Sequence, residues 1–232
     1  MTAVTRAGRI EARHVHIEVG DGAQRIEAVR EASFVIRPGE FVCLLGPSGC
    51  GKSTLLAALA GHLGTARGTL TLHGTPIAGP DPQRGLVFQQ HTLFPWKTVL
   101  DNVAFGPFGA LDALTRARMQ EQLLALWARL GTTVVFVTHD IDEALFLADR
   151  LFIMSAPRPA EAGRPPWGSS KVAEPHLLVS PRLGCIVEDL AVTLPRPRTA
   201  ELTTEAGFNA LKRHCLAVLK QISNHDPLPV RP

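Results

Sequence analysis

Glu40-Phe41-Val42-Cys43-Leu44-Leu45-Gly46-Pro47-Ser48-Gly49-Cys50-Gly51-Lys52-Ser53-Thr54 decides the fold. Glu40 to Leu45, apolar from Phe41 on, reads as a buried strand, and Lys52 to His62 has the spacing of an amphipathic helix. The Gly-rich stretch between them therefore leads from a buried strand into a helix N-terminus, and it fits G-x-x-x-x-G-K-[ST]. Glycines at 46, 49 and 51 let backbone N–H groups turn inward on a phosphate chain without Cβ clashes, and the helix start adds its partial positive charge. The expected nucleotide-binding residues are Gly46, Pro47, Ser48, Gly49, Cys50, Gly51, Lys52, Ser53 and Thr54. Lys52 would reach the β- and γ-phosphates, and the Ser53 hydroxyl would ligate magnesium.

Upstream of this stretch, Ile10 to Val19 alternates like a strand, Gly20-Asp21-Gly22 turns, and Ala32 to Ile36 makes a second strand before Arg37-Pro38-Gly39. Downstream, Gly68 to His73 and Arg84 to Phe88 read as short strands, Thr98 to Phe105 as helical, and Ala113 to Leu130 as a helix. That helix carries Leu123, Leu126, Trp127 and Leu130 on its expected apolar face. Thr132 to Val137 is a β-branched strand, Asp140 to Glu143 opens a helix as a capping box, and Arg150 to Met154 is another strand. Strands alternating with helices predict an α/β fold with a mainly parallel sheet. Prolines crowd residues 156 to 184 and predict a flexible insertion. Cys185 to Leu194 then alternates as a strand, and Glu205 to Ile222 is an amphipathic helix with Phe208, Leu211, Cys215, Leu219 and Ile222 along one stripe. The division expected is 1 to 155, 156 to 184, and 185 to 232.

The chain has 232 residues, 45% hydrophobic and 19% charged, enough for one good core and a small appendage. Its net charge of +3 comes from scattered Lys and Arg, which does not point to nucleic acid. Cys43, Cys50, Cys185 and Cys215 form no C-x-x-C pair and read as reduced core residues of a cytosolic protein. Neither a signal-type apolar run from Met1 to His14 nor a membrane-spanning run is present, so a soluble chain that meets a membrane through a partner is expected.

Several stretches now occur in one order, and the chain resembles the ATP-binding subunits of ABC importers, most closely the nitrate/sulfonate/taurine type. Val87-Phe88-Gln89-Gln90 with Leu93-Phe94-Pro95-Trp96 is similar to the Q-loop and its approach to the membrane subunit. Pro107 to Asp112 resembles the D-loop, and Val137-Thr138-His139-Asp140 resembles the switch histidine. Val187-Glu188-Asp189 through Leu194-Pro195-Arg196-Pro197-Arg198 is similar to the tail of that subfamily. The resemblance implies the P-loop NTPase core of an ABC ATPase with a β-rich N-terminal subdomain. It implies ATP and Mg2+ as ligands, Gln89 at magnesium and the attacking water, His139 beside the γ-phosphate, and Asp112 at a dimer interface. The strand-end position of His139 fits the place where open α/β sheets carry their sites. Asp112 also suits a helix cap, and Asp140 and Glu143 read as caps alone. The partners implied are two membrane-spanning subunits, a second ATP-binding subunit and, indirectly, a periplasmic or lipoprotein substrate-binding protein, at the cytoplasmic face of the inner membrane.

One departure weighs against full activity. Members of the family carry a helical subdomain, a Leu-Ser-Gly-Gly-Gln signature and a Walker B strand ending in Asp-Glu between the Q-loop and the D-loop; this sequence contains neither the signature nor that strand. Asn102-Val103-Ala104-Phe105-Gly106 runs straight into Pro107-Phe108-Gly109, and the repeated Phe-Gly suggests an in-frame deletion at 106/107, with the helical subdomain lost. Sequencing the gene across codons 104 to 108 would refute it by finding the absent codons. Without that Asp and Glu, Ser53 and Gln89 would share a weaker metal site lacking a general base, a loss of about 10² to 10⁴ in rate. The Asp-Glu strand is expected beside the phosphate-loop strand, so its loss would leave a gap or an altered strand order. Glu188-Asp189 and Asp142-Glu143 are poor replacements by position, and Val19 stands where the family has an aromatic residue over adenine. Three outcomes stay open: an importer subunit with impaired hydrolysis, a degenerate nucleotide-binding partner of an intact subunit, or a truncated product without stable function.

Overall fold

The computed structural model describes residues 8–22, 25–82, 84, 113–155 and 184–224. In chain order its strands are β1 (Ile10–Val19), β2 (Ile26–Ile36), β3 (Phe41–Leu45), β4 (Arg67–Leu72), β5 (Thr75–Pro76), β6 (Val134–Val137), β7 (Arg150–Ser155) and β8 (Cys185–Ala191). Its helices are α1 (Lys52–Ala60), α2 (Ala113–Leu130), α3 (Ile141–Leu147) and α4 (Ala206–Asn224), with a 3-10 turn at Ala200–Thr204.

β3 is apolar and buried at every position, as a strand covered on both faces must be. Because successive side chains alternate across a strand, Val42 and Leu44 enter one core while Phe41, Cys43 and Leu45 enter another. β7 repeats the split, with Phe152 and Met154 on the first side and Leu151 and Ile153 on the second. The first core is closed by α1 and the antiparallel sheet, ordered β2-β1-β4-β5; the second is closed by α2, α3 and α4. The central sheet runs β6-β3-β7-β8, with β3 parallel to β6 and β7, and β8 antiparallel to β7.

The α/β class and the β-rich N-terminal half agree with expectation, and the differences have physical causes. β3 is hydrogen-bonded on both sides, to β6 and β7, so no gap opens beside the phosphate-loop strand. β2 begins at Ile26, six residues before the expected start. Its early residues bear the partners of a ladder on the outer face: Glu27 meets His16 at 2.5 Å and Arg30 at 2.9 Å, and Glu31 meets His14 and His16. On α2 the buried residue is Leu124, with Leu123 and Trp127 half-buried, whereas Leu126 and Leu130 lie 44% and 42% exposed. The α4 stripe is as expected: Phe208 and Cys215 are buried, and Leu211, Leu219 and Ile222 pack beside them. Gly184, expected to end the insertion, bridges Val29 of β2.

Two arginines fasten the tail. Arg198, 4% exposed, donates from one guanidinium nitrogen to the carbonyls of Leu145, Phe146 and Ala148 at 3.0, 3.0 and 2.8 Å, closing the C-terminus of α3. Arg196 donates to Asp149 and Leu147 and lies over the Trp127 ring at 4.4 Å.

Candidate nucleotide site

The phosphate loop leaves β3 at Gly46 and enters α1 at Gly51. Gly46, Gly49 and Gly51 have φ of 154°, 80° and 88°, values that L side chains rarely adopt. Crowding adds to the demand at two of them: a Cβ on Gly46 would overlap the Met154 carbonyl oxygen, and one on Gly51 would sit 2.7 Å from the Ala28 oxygen. The loop is thus seated on the end of β7 and on β2. The N-terminus of α1 has no side-chain cap and no acidic residue in its first turn, leaving its amides and positive dipole end suited to an anion. Ser48, Gly49 and Ser53 are exposed, Pro47 and Thr54 are half-buried, and Cys50 is fully buried.

Lys52 crosses back over the loop. Its ammonium donates to the Gly46 carbonyl at 2.7 Å and the Pro47 carbonyl at 2.9 Å, and lies 3.5 Å from the Cys50 sulfur. Burial pushes the Cys50 thiol above its ordinary value, against the pull of that ammonium, so the sulfur stays protonated at neutral pH.

Register places His139. Leu44 pairs with Val137, and the Thr138 N–H donates to the Leu44 carbonyl at 3.3 Å. His139 is thus level with Gly46 at the C-terminal ends of neighbouring parallel strands, and it is exposed. Below it, the Thr138 hydroxyl lies 2.5 Å from Glu143 Oε2 and accepts from the Asp140 N–H at 3.0 Å. Asp140 caps α3 as expected, accepting from the N–H groups of Asp142 and Glu143 at 2.9 and 3.3 Å. Glu143 does not complete a capping box: its other oxygen accepts from Gln120 at 3.3 Å, tying α3 to α2.

Val19 ends β1 opposite Ile26, two residues before the Ala28 carbonyl that backs Gly51, so the open end of the β1–β2 ladder lies beside the phosphate loop. Neither acidic pair is free for chemistry. Glu188 meets His214 at 2.9 Å, Asp189 pairs with Arg150, and Asp142 accepts from Lys212 at 2.7 Å. No cluster of three or more His, Cys, Asp or Glu suited to a metal occurs among the described residues. Gln89, Asp112, Leu93 to Trp96, all but Arg84 of the strand expected from Arg84 to Phe88, the helix from Thr98, the 106/107 junction and residues 156–183 lie outside the described residues. The seat of the loop on Met154 and Ala28, and the Thr138–Glu143–Gln120 chain, had no sequence signal, because each joins residues far apart in the chain.

Comparison with known proteins agrees with this geometry. The profile of the ABC transporter family matches residues 29–145. The chain belongs to that family. An ATP-binding protein of Brucella melitensis is 36% identical over 214 residues, covering 76% of this chain and 80% of that protein. The taurine import ATP-binding protein TauB of Roseobacter denitrificans is 36% identical over 194 residues, covering 58% of this chain and 72% of its own length. A dimeric ATP-binding cassette in a post-hydrolysis state, bound to ADP and phosphate, aligns with 80% of this chain and 100% of its own at a TM-score of 0.56 and 20% identity, a likeness of fold. This cassette has, among its described residues, no helix long and apolar enough to cross a membrane.

Proposed function

We propose that this chain is the ATP-binding subunit of an importer for small oxyanions or sulfonates, such as nitrate or taurine, and that it binds MgATP but hydrolyses it poorly. The phosphate loop carries the reading. Its three left-handed glycines, uncapped helix N-terminus and Lys52 form a cradle that fits a nucleotide's phosphates. The loop amides would bind the phosphate oxygens, Lys52 would exchange its carbonyl partners for the β- and γ-phosphates, and the exposed Ser53 hydroxyl would hold magnesium. His139, level with Gly46, would stand at the γ-phosphate, with Gln89 at the metal and Asp112 at a second ATP-binding subunit. Taurine and aliphatic sulfonate import proteins among the relatives support the substrate class.

Impaired hydrolysis is supported by the sequence, which lacks the signature and the Asp-Glu strand. The alignment with the Roseobacter protein also runs over 194 positions while covering 58% of this 232-residue chain, so many of its positions face no residue here. The structural ion pairs that hold Glu188, Asp189 and Asp142 argue against a substitute base. The chain would work at the cytoplasmic face of the membrane against two membrane-spanning subunits, with a substrate-binding protein outside. The same missing carboxylates favour a second reading, a degenerate subunit paired with an intact one. Co-expression with the membrane-spanning subunits of a taurine or sulfonate importer tests both. Copurification with the Lys52-dependent uptake of labelled substrate supports the first reading. Uptake that survives Lys52→Ala but requires an intact ATPase subunit supports the second, and no association with either partner contradicts both.

A further inference from the structure

Gly184 forms an isolated backbone bridge to the antiparallel sheet at the entry to β8. It stands one residue before β8, pairs with Val29 of β2, donates its N–H to the Ala28 carbonyl at 2.8 Å, and accepts from the Arg30 N–H at 2.7 Å. Its other side faces the phosphate loop. A Cβ at 184 would overlap the Cys50 carbonyl oxygen and lie 2.9 Å from both the Cys50 carbonyl carbon and the Ala28 oxygen. Gly184 is not among the glycines with positive φ, so what its position requires is space and not an unusual backbone.

The Ala28 oxygen that Gly184 fixes is the same atom that would stand 2.7 Å from a Cβ on Gly51. Gly184 therefore backs Cys50 directly and Gly51 through Ala28, and these two residues precede Lys52. We propose that Gly184 is a positioning residue of the phosphate loop, whose missing side chain lets the loop rest on fixed backbone so that Lys52 and the first amides of α1 are held where phosphates are received. This rests on reading the loop as the ATP site. An alanine at 184 would push the Cys50 peptide by about 1 Å to regain normal contact, a displacement of the size that costs tenfold to about a hundredfold when it falls on a reacting group.

The test compares the wild-type chain, Gly184→Ala, and Gly64→Ala, where nothing lies within 4 Å of the added Cβ. MgATP affinity, cooperative thermal unfolding, and the rate of Cys50 alkylation by iodoacetamide, read by mass spectrometry, are measured on each. The expected result is a Gly184→Ala chain that unfolds cooperatively, binds MgATP at least tenfold more weakly and alkylates at Cys50 faster, with Gly64→Ala within twofold of wild type throughout. A folded Gly184→Ala chain with unchanged affinity and unchanged Cys50 reactivity overturns the proposal. If Gly184→Ala does not fold, hydrogen exchange of the wild type decides. Slower exchange of the Gly184 and Arg30 amides on adding MgATP supports the coupling, and unchanged exchange overturns it. Wild type that binds no MgATP overturns the reading of the loop as an ATP site. The positioning of the loop itself is then still judged by Cys50 alkylation.

Discussion

Replacing Arg198 by Met removes the guanidinium that closes α3 while keeping most of the apolar bulk of the side chain. Three carbonyls, those of Leu145, Phe146 and Ala148, lose charge-assisted donors at 2.8 to 3.0 Å. A single guanidinium nitrogen has two hydrogens to share among the three carbonyls, and the second nitrogen adds a longer bond to the Leu194 carbonyl at 3.4 Å. At about 1.5 to 3 kcal/mol for each full bond to a charged group and less for the long one, the loss is roughly 4 to 8 kcal/mol. Against this stands the relief of desolvation. Burial, with repulsion from Arg196, pulls the Arg198 guanidinium down to about 10, opposed in part by Asp149. From an ordinary value of 12.5, that displacement corresponds to about 3 kcal/mol of penalty that Met would not incur. The net expectation is a destabilisation of about 1 to 5 kcal/mol, a sizeable share of the roughly 5 to 15 kcal/mol that holds a domain folded. Urea unfolding at neutral pH reads it as a lower midpoint at unchanged slope. Arg198→Lys should recover part of the loss, since one ammonium carries hydrogens for the carbonyls that a single guanidinium nitrogen now serves but gives up the second nitrogen's bond to Leu194. A midpoint displaced by the equivalent of less than about 0.5 kcal/mol in Arg198→Met would refute the cap as a stabilising element.

Asp140→Ala removes a side-chain cap from α3 and should cost about 1 kcal/mol in the same assay; no change would mean that the Asp142 and Glu143 amides find water at no cost. The His16 cluster should make stability depend on pH. The bond to Glu27 raises His16 above 6.5 despite burial, and Glu31 adds to it. Burial works against Glu27, but His16 and Arg30 carry it below 4.5, and His14 and His16 lower Glu31 likewise. A raised histidine stabilises fully below its unfolded value and is lost as pH rises through the folded one, while a lowered carboxylate stabilises above its unfolded value and is lost as pH falls. The cluster thus contributes most between about pH 4.5 and 6.5. The melting-temperature gap between wild type and His16→Gln should shrink on going from about pH 5.5 to 8.5, and a gap that widens would reverse the assignment.

Much of the fold was legible because local chemistry and burial coincide. β3 is apolar throughout, the glycines announce the turn, and α4 carries its stripe at helical spacing. Other parts were hidden for identifiable reasons. Ile26 to Glu31 lies ahead of the strand expected from Ala32, yet its carboxylates pair with histidines on β1, a neighbour whose register the sequence does not give. Leu126 and Leu130 share a plausible stripe with Leu123 and Trp127, but the helix is rotated so that Leu124 enters the core. Arg198, flanked by Pro197 and set in a proline-rich tail, looks like surface until the α3 carbonyls are placed around it. Within the site, Lys52 and the loop glycines were readable from spacing, whereas the backing by Gly184 depends on a contact 134 positions away from Cys50.

The central claim, nucleotide binding with little turnover, is tested most directly by titrating the purified chain with MgATP while following phosphate release, beside Lys52→Ala. The account predicts saturable binding that Lys52→Ala weakens, with turnover at least about a hundredfold below that of an ATPase that keeps its general base. Turnover at ordinary ATPase rates, about 1 s⁻¹ or more and abolished by Lys52→Ala, would contradict the loss of the catalytic carboxylate. Absence of binding would contradict the site itself.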